Sequence, residues 1–473
     1  MTLRKGQKAV MNCNVMSSWG RRVVVLATLV VMVILSNGRP VSTQANTSCR
    51  SVAGIDKQVC VVRGRITSNT TWDSSTYWVL RGAVFVESGA ALTIEAGTEI
   101  FGEFATSGSL IILQSAQIFA NGTADAPIVM SSDQPIGARA RADWGGLIIN
   151  GKAPLNVPGS QAEGEGDTGL YGGTDPDDDS GHLRYVRIEF AGTEFSPDNE
   201  LNGISFQGVG RGTEVDHVMV KASKDDGFEF FGGTVEVKHA ISYAIADDSF
   251  DWTDGWTGKG QCLIALQSGD DADQGFESDN NGDNNNLTPR SNPTIYNVTL
   301  VGDPDNDVGT ESDVGILLRE GTSATIRNFI IYGFGEAAVD IDDAVTFNQI
   351  VGPTDTPLTV ERGILFGNCT KDSKCVGQFE PDRDDAVAPI TTVDFVTNAP
   401  NVRIVDPLLA DPLTLGAPDF SPTPGSPAIT GAVTPAIPPS DGFFDPAPFI
   451  GAVGPAGSGQ SDWLSGWTDW SLN

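Results

Sequence analysis

The sequence predicts an all-β protein wound into a single parallel β-helix, a solenoid whose coils each hold about 22–26 residues. The main observation is a short pattern, a small residue followed by a large apolar one, that returns at steps of this length. Gly (55) and Pro (27) are also abundant among the 473 residues, and only 19% of the chain is charged. This composition suits many short strands and turns, and no long stretch has helical periodicity.

The repeated pattern places like residues on successive coils. It occurs at Gly203-Ile204, Gly227-Phe228, Ser249-Phe250, Gly275-Phe276, Gly315-Ile316, Ala338-Val339 and Gly363-Ile364. One step is 40 residues long, whereas the others fall between 22 and 26. A β-propeller, whose blades need about 40–45 residues, therefore fits less well. In a parallel β-helix, equivalent residues stack ~4.8 Å apart, so Phe228, Phe250 and Phe276 should fill the lumen.

A second pattern accompanies the first and carries polar residues at one turn. Asn297 and Asn328 should share a column with His217 and His239 and form a polar ladder there. We therefore interpret these two histidines as ladder residues rather than ligands. The chain has only three histidines, which argues against a His-based zinc site or a Ser-His-Asp enzyme.

Residues 1–45 have the features of a secretory signal peptide. A basic segment without acids precedes the apolar run Val23–Leu35, and polar sequence then ends in small residues at Ala45. This run of thirteen residues is too short to span a bilayer, which takes ~20. Removing the segment leaves 23 basic and 61 acidic residues, a net charge of −38. Such a charge argues against nucleic acid as a partner, and no membrane span is expected in the mature chain.

Cysteine usage agrees with export. Cys49 and Cys60 are close in sequence, as are Cys369 and Cys375, so each pair could close a short loop as a disulfide in an oxidising compartment. Cys262 lies in an apolar run and is interpreted as a small core residue.

Composition also suggests the domain organisation. We expect an N-terminal cap at residues 46–80 and the β-helix proper at residues 81–405. The Pro-rich residues 406–455 should form an extended wrap along the solenoid together with the last coils. The Trp-rich tail, residues 456–473, is expected to fold back and cap the open end of the solenoid.

Several motifs resemble those of a known group of proteins. They are Ile66–Trp72, Leu80–Val86, Leu92–Ile94, Asp143–Gly151, Phe443–Asp445 and Trp463–Thr468. The group consists of secreted bacterial right-handed parallel β-helix proteins, mostly of unassigned function, and the resemblance extends over nearly the whole mature chain. It implies a right-handed solenoid and export, and it brings no catalytic residues with it.

An acidic stripe is the main candidate site. Because Phe228 and Phe230 share one face of a strand, Glu229 should point outward, and stacking should align it with Asp251 and Glu277. Like charges on neighbouring strands repel each other, so a bound cation would stabilise the stripe. Ca²⁺ suits such a site because it binds 6–8 oxygen ligands. The candidate calcium ligands are Asp225, Asp226, Glu229, Asp247, Asp248, Asp251, Asp273, Glu277, Asp279, Asp303, Asp305 and Asp307. The last three alternate as in an EF-hand loop, although Val308 stands where that loop needs Gly.

Two other interpretations of the stripe remain open. Carboxylates one coil apart would lie ~5 Å from each other, near the distance used by retaining glycosidases. Glu229, Asp251 and Glu277 could then serve a polysaccharide-degrading hydrolase or lyase, although the Gly-His-Gly and Arg-x-Lys elements of polygalacturonases, which share this fold, are absent. Alternatively, the aspartates simply stabilise tight turns and keep the outer face soluble.

Aromatic residues suggest a ligand surface beside the stripe. Trp252 should face the lumen, whereas Trp256 is a candidate for holding a sugar ring. The favoured function is a secreted or cell-surface structural, adhesive or carbohydrate-binding protein that is stabilised by calcium. Polysaccharide or other cell-surface components are the expected partners, and the rods could self-associate into fibres or arrays.

Overall fold

The computed structural model describes residues 45–196, 199–269, 271–304, 312–351, 357–370, 374–380, 386–387 and 390–472. All but the last residue of the expected signal peptide, and also Asp305 and Asp307, lie outside these residues. No helix in the described residues is long and apolar enough to cross a membrane.

The chain folds into an all-β, right-handed parallel β-helix, which confirms the predicted fold class. Its strands stack in three columns, here called faces A, B and C. Seven long strands contribute their first halves to face A and their second halves to face B: Gly181–Glu189, Glu214–Lys221, Glu236–Tyr243, Lys259–Leu266, Thr294–Val301, Thr325–Tyr332 and Thr359–Phe366.

Shorter strands complete the three faces. Face A begins with Thr70–Trp72, Ala91–Ile94 and Gln117–Asn121. Face B also contains Glu99–Gly102, Ile128–Ser132 and Val402–Ile404. Face C consists of Ser109–Ile112, Gly146–Asn150, Ile204–Gln207, Phe228–Phe231, Phe250–Thr253, Phe276–Ser278, Val314–Leu318 and Ala337–Ile341. Gln58–Ile66 and Thr76–Val86 each contribute to both B and C.

The remaining elements decorate the solenoid. Asn46–Ser51 pairs antiparallel with Gln58–Ile66. Small antiparallel hairpins lie elsewhere in the described residues. Their strand pairs are Ala162–Gly164 with Gly169–Tyr171, Glu194–Ser196 with Asn199–Glu200, Ala386–Val387 with Ile390–Thr391, and Leu409–Asp411 with Asp419–Pro422. Two short α-helices span Ala344–Val351 and Thr392–Thr397, and 3-10 turns span Phe104–Thr106, Pro158–Ser160 and Glu165–Asp167. The Cys49–Cys60 and Cys369–Cys375 disulfides are formed as predicted, and Cys262 is a buried free cysteine.

A left-handed residue bends each long strand between faces A and B. These residues form the corner column: Tyr185, His217, His239, Cys262, Asn297, Asn328 and Arg362, all with φ between 49° and 62°. Asn tolerates this conformation best among non-glycine residues, which suits Asn297 and Asn328. The predicted column is thus present, and the His217 and His239 rings stack 4.4 Å apart. The asparagine amides, however, hydrogen-bond to the C-terminal segment rather than to one another.

Aromatic side chains fill the lumen. Phe228 and Phe250 stack with their ring centroids 5.0 Å apart, and Phe276 lies 5.5 Å from Phe250, as predicted. Trp256 also lies in the lumen, only 2% exposed and stacked 4.2 Å from Phe230. The expectation that it holds a sugar is therefore wrong. Burying this large ring stabilises the fold, and its indole nitrogen donates a hydrogen bond to a backbone carbonyl.

The C-terminal segment runs back along the corner column rather than capping the end of the solenoid. Asn328 donates a hydrogen bond to the carbonyl of Ala436, and Asn297, one coil earlier, donates to that of Ala447. Further on, the Trp467 ring packs 5.9 Å from Tyr185 and is fully buried. The expected cap is wrong because the tryptophans bury their apolar area against the aromatic residues of the corner column on the flank.

Candidate functional site

The acidic stripe lies on face C. Glu229 pairs in register with Asp251, and Asp251 pairs with Glu277, so the three residues form one column across adjacent strands. Their neighbours Phe228, Phe250 and Phe276 point into the lumen, which turns the carboxylates outward as the alternation predicted. Like charges directly opposite on neighbouring strands are unfavourable, so this column requires a compensating charge or bound protons.

A ladder of side chains holds the turns between faces B and C. The side-chain oxygen of Asn202 accepts from the backbone N–H of Asp226 at 3.1 Å. One coil later, a carboxylate oxygen of Asp226 accepts from the backbone N–H of Asp248 at 3.0 Å. On the next coil, a carboxylate oxygen of Asp248 accepts from the backbone N–H of Gln274 at 2.6 Å. Two of the candidate ligands therefore also have a structural role. The ladder fixes Asp226 and Asp248 beside the stripe, on one coil after another.

Carboxylates converge in three overlapping groups. Within each group the oxygens lie within 4.8 Å of one another, which is close enough to share an ion. The groups are Asp225, Asp226 and Asp247; Asp226, Glu229 and Asp251; and Asp247, Asp248 and Asp273. Asp226, Glu229 and Asp248 are buried, and the others are partly buried. The structure thus brings seven of the twelve predicted ligands together.

Burial and mutual repulsion disfavour ionisation of six of these carboxyl groups, those of Asp225, Asp226, Glu229, Asp247, Asp248 and Asp251. Burial raises the pKa of Glu229 well above its ordinary value, and the charges of Glu165 and Asp251 add to the shift. Burial and the charge of Asp247 raise the pKa of Asp225 to about 8. The pKa of Asp247 rises to about 6, again chiefly through burial. Near neutral pH Asp225 and Glu229 should therefore hold protons or bind a cation.

Two basic side chains of the described residues form ion pairs beside the stripe. Arg319 pairs with Asp279 at 2.9 Å and also with Glu277, while Lys224 pairs with Asp271. Glu277 and Asp279 thus have a cation supplied by the protein.

The central group has no direct ion pair of this kind, although the charge of Arg319 opposes the rise in the pKa of Asp251. Among the described residues, no lysine or arginine forms an ion pair with Asp226, Glu229 or Asp251. One carboxylate oxygen of Asp251 is buried and accepts no hydrogen bond within the described chain. This position is the part of the stripe that most needs a cation.

Two polar residues that sequence reasoning missed also belong to the site. Asn202 donates a hydrogen bond from its amide to Glu229. It precedes Gly203 as Asp226 precedes Gly227, so the repeat spacing could have revealed it. Glu165 lies on the 3-10 turn Glu165–Asp167, and burial with the charge of Glu200 raises its pKa to about 7. It lies outside the repeat, so no pattern indicated it.

The remaining predicted ligands are Asp303, Asp305 and Asp307. In the described part of the chain, Asp303 joins no group of three carboxylates, and its backbone N–H donates to the Ser312 hydroxyl at 2.9 Å. Asp305 and Asp307 lie outside the described residues, so the EF-hand-like interpretation of this loop stays a prediction.

A family model described as a pectate-lyase-like β-helix domain matches residues 64–395. The chain belongs to this family. The matched region begins within Gln58–Ile66, contains the entire acidic stripe and ends before the C-terminal segment that covers the corner column. No curated protein and no solved structure shows a significant match to the chain.

Proposed function

We propose that the protein acts outside the cell as a polysaccharide-binding β-helix whose face C is stabilised by calcium. The observation that carries the calcium proposal is the group formed by Asp226, Glu229 and Asp251. Its three carboxylates come from two adjacent coils, converge within 4.8 Å and form no ion pair with a lysine or arginine of the described residues.

Calcium fits this group chemically. It is a hard cation that binds carboxylate oxygens at about 2.3–2.6 Å and tolerates flexible geometry. The group of Asp225, Asp226 and Asp247 shares Asp226 with the central group and Asp247 with the third group, so a second ion could bind one coil further along the row. Arg319 supports the need for a cation in the stripe, because the protein itself supplies a positive charge where the stripe continues to Glu277 and Asp279. The burial of Asp226 and Glu229 favours a small cation over a sugar ring as their immediate ligand.

The polysaccharide part of the proposal is supported by the family description and by the charge of the chain. A surface of net charge −38 after signal removal repels polyanions, but bound calcium could bridge it to carboxylated sugars. The two disulfides suit an oxidising compartment and hence an extracellular location.

Calorimetric titration of residues 46–473 with CaCl₂ tests the proposal. The wild type should bind calcium with a Kd of roughly 10⁻⁴–10⁻³ M, as in extracellular modules. Glu229→Gln and Asp251→Asn should each weaken binding at least tenfold. Glu163→Gln, at an exposed position of the hairpin strand Ala162–Gly164, is the matched control and should bind like the wild type. Equal affinity in all four proteins, or no binding, would contradict the calcium proposal.

The polysaccharide proposal needs its own test. Pull-down with insoluble neutral and carboxylated polysaccharides should be run with calcium and with a chelator. Calcium-dependent retention of the carboxylated polymers is expected, and it should fall in Asp251→Asn. No retention of any polymer by a folded, calcium-bound chain would refute the polysaccharide role while leaving the calcium site in place.

One observation favours cleavage of a polysaccharide as a second candidate. Burial raises the pKa of Glu277 to about 7 against the opposing charge of Arg319, and both side chains retain some exposure. A carboxyl group with this pKa can act as a general acid near neutral pH. Incubation with a polysaccharide panel, read by new reducing ends and by absorbance near 235 nm, tests it. Polysaccharide cleavage by the wild type that is lost in Glu277→Gln would support catalysis. If no polymer of the panel gives new reducing ends or absorbance, cleavage of those polymers is excluded.

A further inference from the structure

A second group of potential ligands lies on the corner column, away from the acidic stripe. His217 and His239 occupy equivalent positions on adjacent coils, and Asp216 precedes the first of them. Two of the three histidines in the chain thus meet at one place. The structure brings one ligand atom from each of the three residues within 4.8 Å of the others.

The two imidazoles converge on a single carboxylate oxygen. Nδ1 of His217 lies 2.8 Å from Oδ1 of Asp216, and Nδ1 of His239 lies 2.7 Å from the same atom. The stacked rings, 4.4 Å apart, hold both nitrogens toward this oxygen. The side chains of His217 and His239 are 13% and 8% exposed, so neither ring is free to turn away from the carboxylate.

A cavity borders the two histidines of this group. Its volume is about 380 Å³, and it is lined by His217 and His239 on the solenoid and by residues 458–460 and 462–463 of the C-terminal segment. Asp462 contributes a further carboxylate to the lining. The Ser458 hydroxyl, also in the lining, is buried and makes no hydrogen bond within the described chain. The cavity is roomy enough for an ion with bound water.

The donor set differs from that of face C. Imidazole nitrogens select first-row transition metals such as Zn²⁺ and Cu²⁺, whereas calcium prefers oxygen alone. Metal–ligand bonds to His nitrogen and Asp oxygen are about 2.0–2.2 Å long, so ligand atoms arranged tetrahedrally around one ion lie roughly 3.4 Å apart. The observed distances of 2.7 and 2.8 Å must therefore lengthen by roughly 0.6 Å when an ion replaces the hydrogen-bonded protons, which a rotation of the Asp216 carboxylate would provide.

We propose that Asp216, His217 and His239 form a binding site for a transition-metal ion, Zn²⁺ or Cu²⁺, with Asp462 or water completing the coordination. The site is independent of the calcium proposal. It lies where the C-terminal segment docks, because His239 contacts the Gln460 side chain at 2.9 Å and the Trp463 ring at 5.0 Å. The bound ion should therefore hold this segment on the solenoid as well.

The test is equilibrium dialysis of residues 46–473 against ZnCl₂ and CuCl₂, with calcium present to occupy face C. We expect one ion per chain. His217→Asn and His239→Asn should each weaken binding at least tenfold. Asparagine suits these positions because Asn297 and Asn328 occupy equivalent ones with φ of 60° and 62°. His182→Ala, which removes the third histidine, is the matched control and should bind like the wild type.

Two further readouts separate a metal site from a structural hydrogen-bond network. The electron paramagnetic resonance spectrum of the Cu²⁺ form should show coordination by two imidazole nitrogens, and each asparagine variant should lose one. Zn²⁺ should also slow proteolysis after Gly454 in the wild type but not in the variants. Absence of binding, binding that persists unchanged in both asparagine variants, or a spectrum without nitrogen ligands would overturn the proposal.

Discussion

Replacing Glu277 by Gln should make stability less sensitive to pH. Burial raises the pKa of Glu277 from 4.5 to about 7, although the charge of Arg319 opposes the shift. The folded state therefore binds this proton more tightly than the unfolded state does, and stability falls as the pH rises from 4.5 through 7. A shift of this size corresponds to about 3 kcal/mol, lost in full only above pH 7. Glutamine cannot ionise, so the variant should escape that loss.

The assay is urea unfolding of both proteins between pH 4.5 and pH 8 in the presence of a calcium chelator. Any constant effect of the substitution cancels when the two pH dependences are compared. Between these pH values the free energy of unfolding should fall by about 3 kcal/mol more in the wild type than in the variant. For a chain of this length, this corresponds to about 3 °C in melting temperature. Glu163→Gln is the control and should follow the wild type. Parallel curves for Glu277→Gln and the wild type would refute the electrostatic account of the stripe.

Three further outcomes follow from the packing. Trp256→Ala should lower the free energy of unfolding, measured by urea denaturation, by about 3–5 kcal/mol because the ring is buried in the lumen. Polysaccharide retention should not change, and reduced retention by a folded variant would contradict this. Trp467→Ala should expose the chain after Gly454 to limited proteolysis detected by mass spectrometry, and an unchanged digest would argue against docking of the tail. Unreduced, denatured residues 46–473 should present one free thiol, Cys262, and five after reduction, whereas any other count would contradict the disulfides.

The solenoid could be predicted because its information is local and repeated. Each coil repeats the same alternation of apolar and polar residues, so an ambiguous position on one coil can be assigned from the equivalent position on the next. The column of Glu229, Asp251 and Glu277 could therefore be predicted from the repeat spacing alone. Trp256 was misplaced because it follows the left-handed Gly255, where the alternation of the preceding strand no longer applies. Only packing against Phe230 decides which way such a ring points.

Contacts between distant parts of the chain were beyond sequence reasoning. The position of the tail depends on partners such as Arg187, which donates to the carbonyl of Trp467 from 280 residues away. The convergence of His217 and His239 on Asp216 required side-chain geometry at a bend, which the column pattern alone does not contain. Glu165 reaches the stripe from an insertion with no counterpart on other coils, so no repeat could indicate it.

A crystal structure of residues 46–473 grown with calcium tests the central claim most directly. Density for an ion should lie between Asp226, Glu229 and Asp251, with carboxylate oxygens about 2.3–2.6 Å from it. Its anomalous signal should identify calcium, and the same position should be vacant in crystals soaked with a chelator. A vacant position in the presence of calcium, with the three carboxyl groups hydrogen-bonded to one another as protonated acids, would contradict the account.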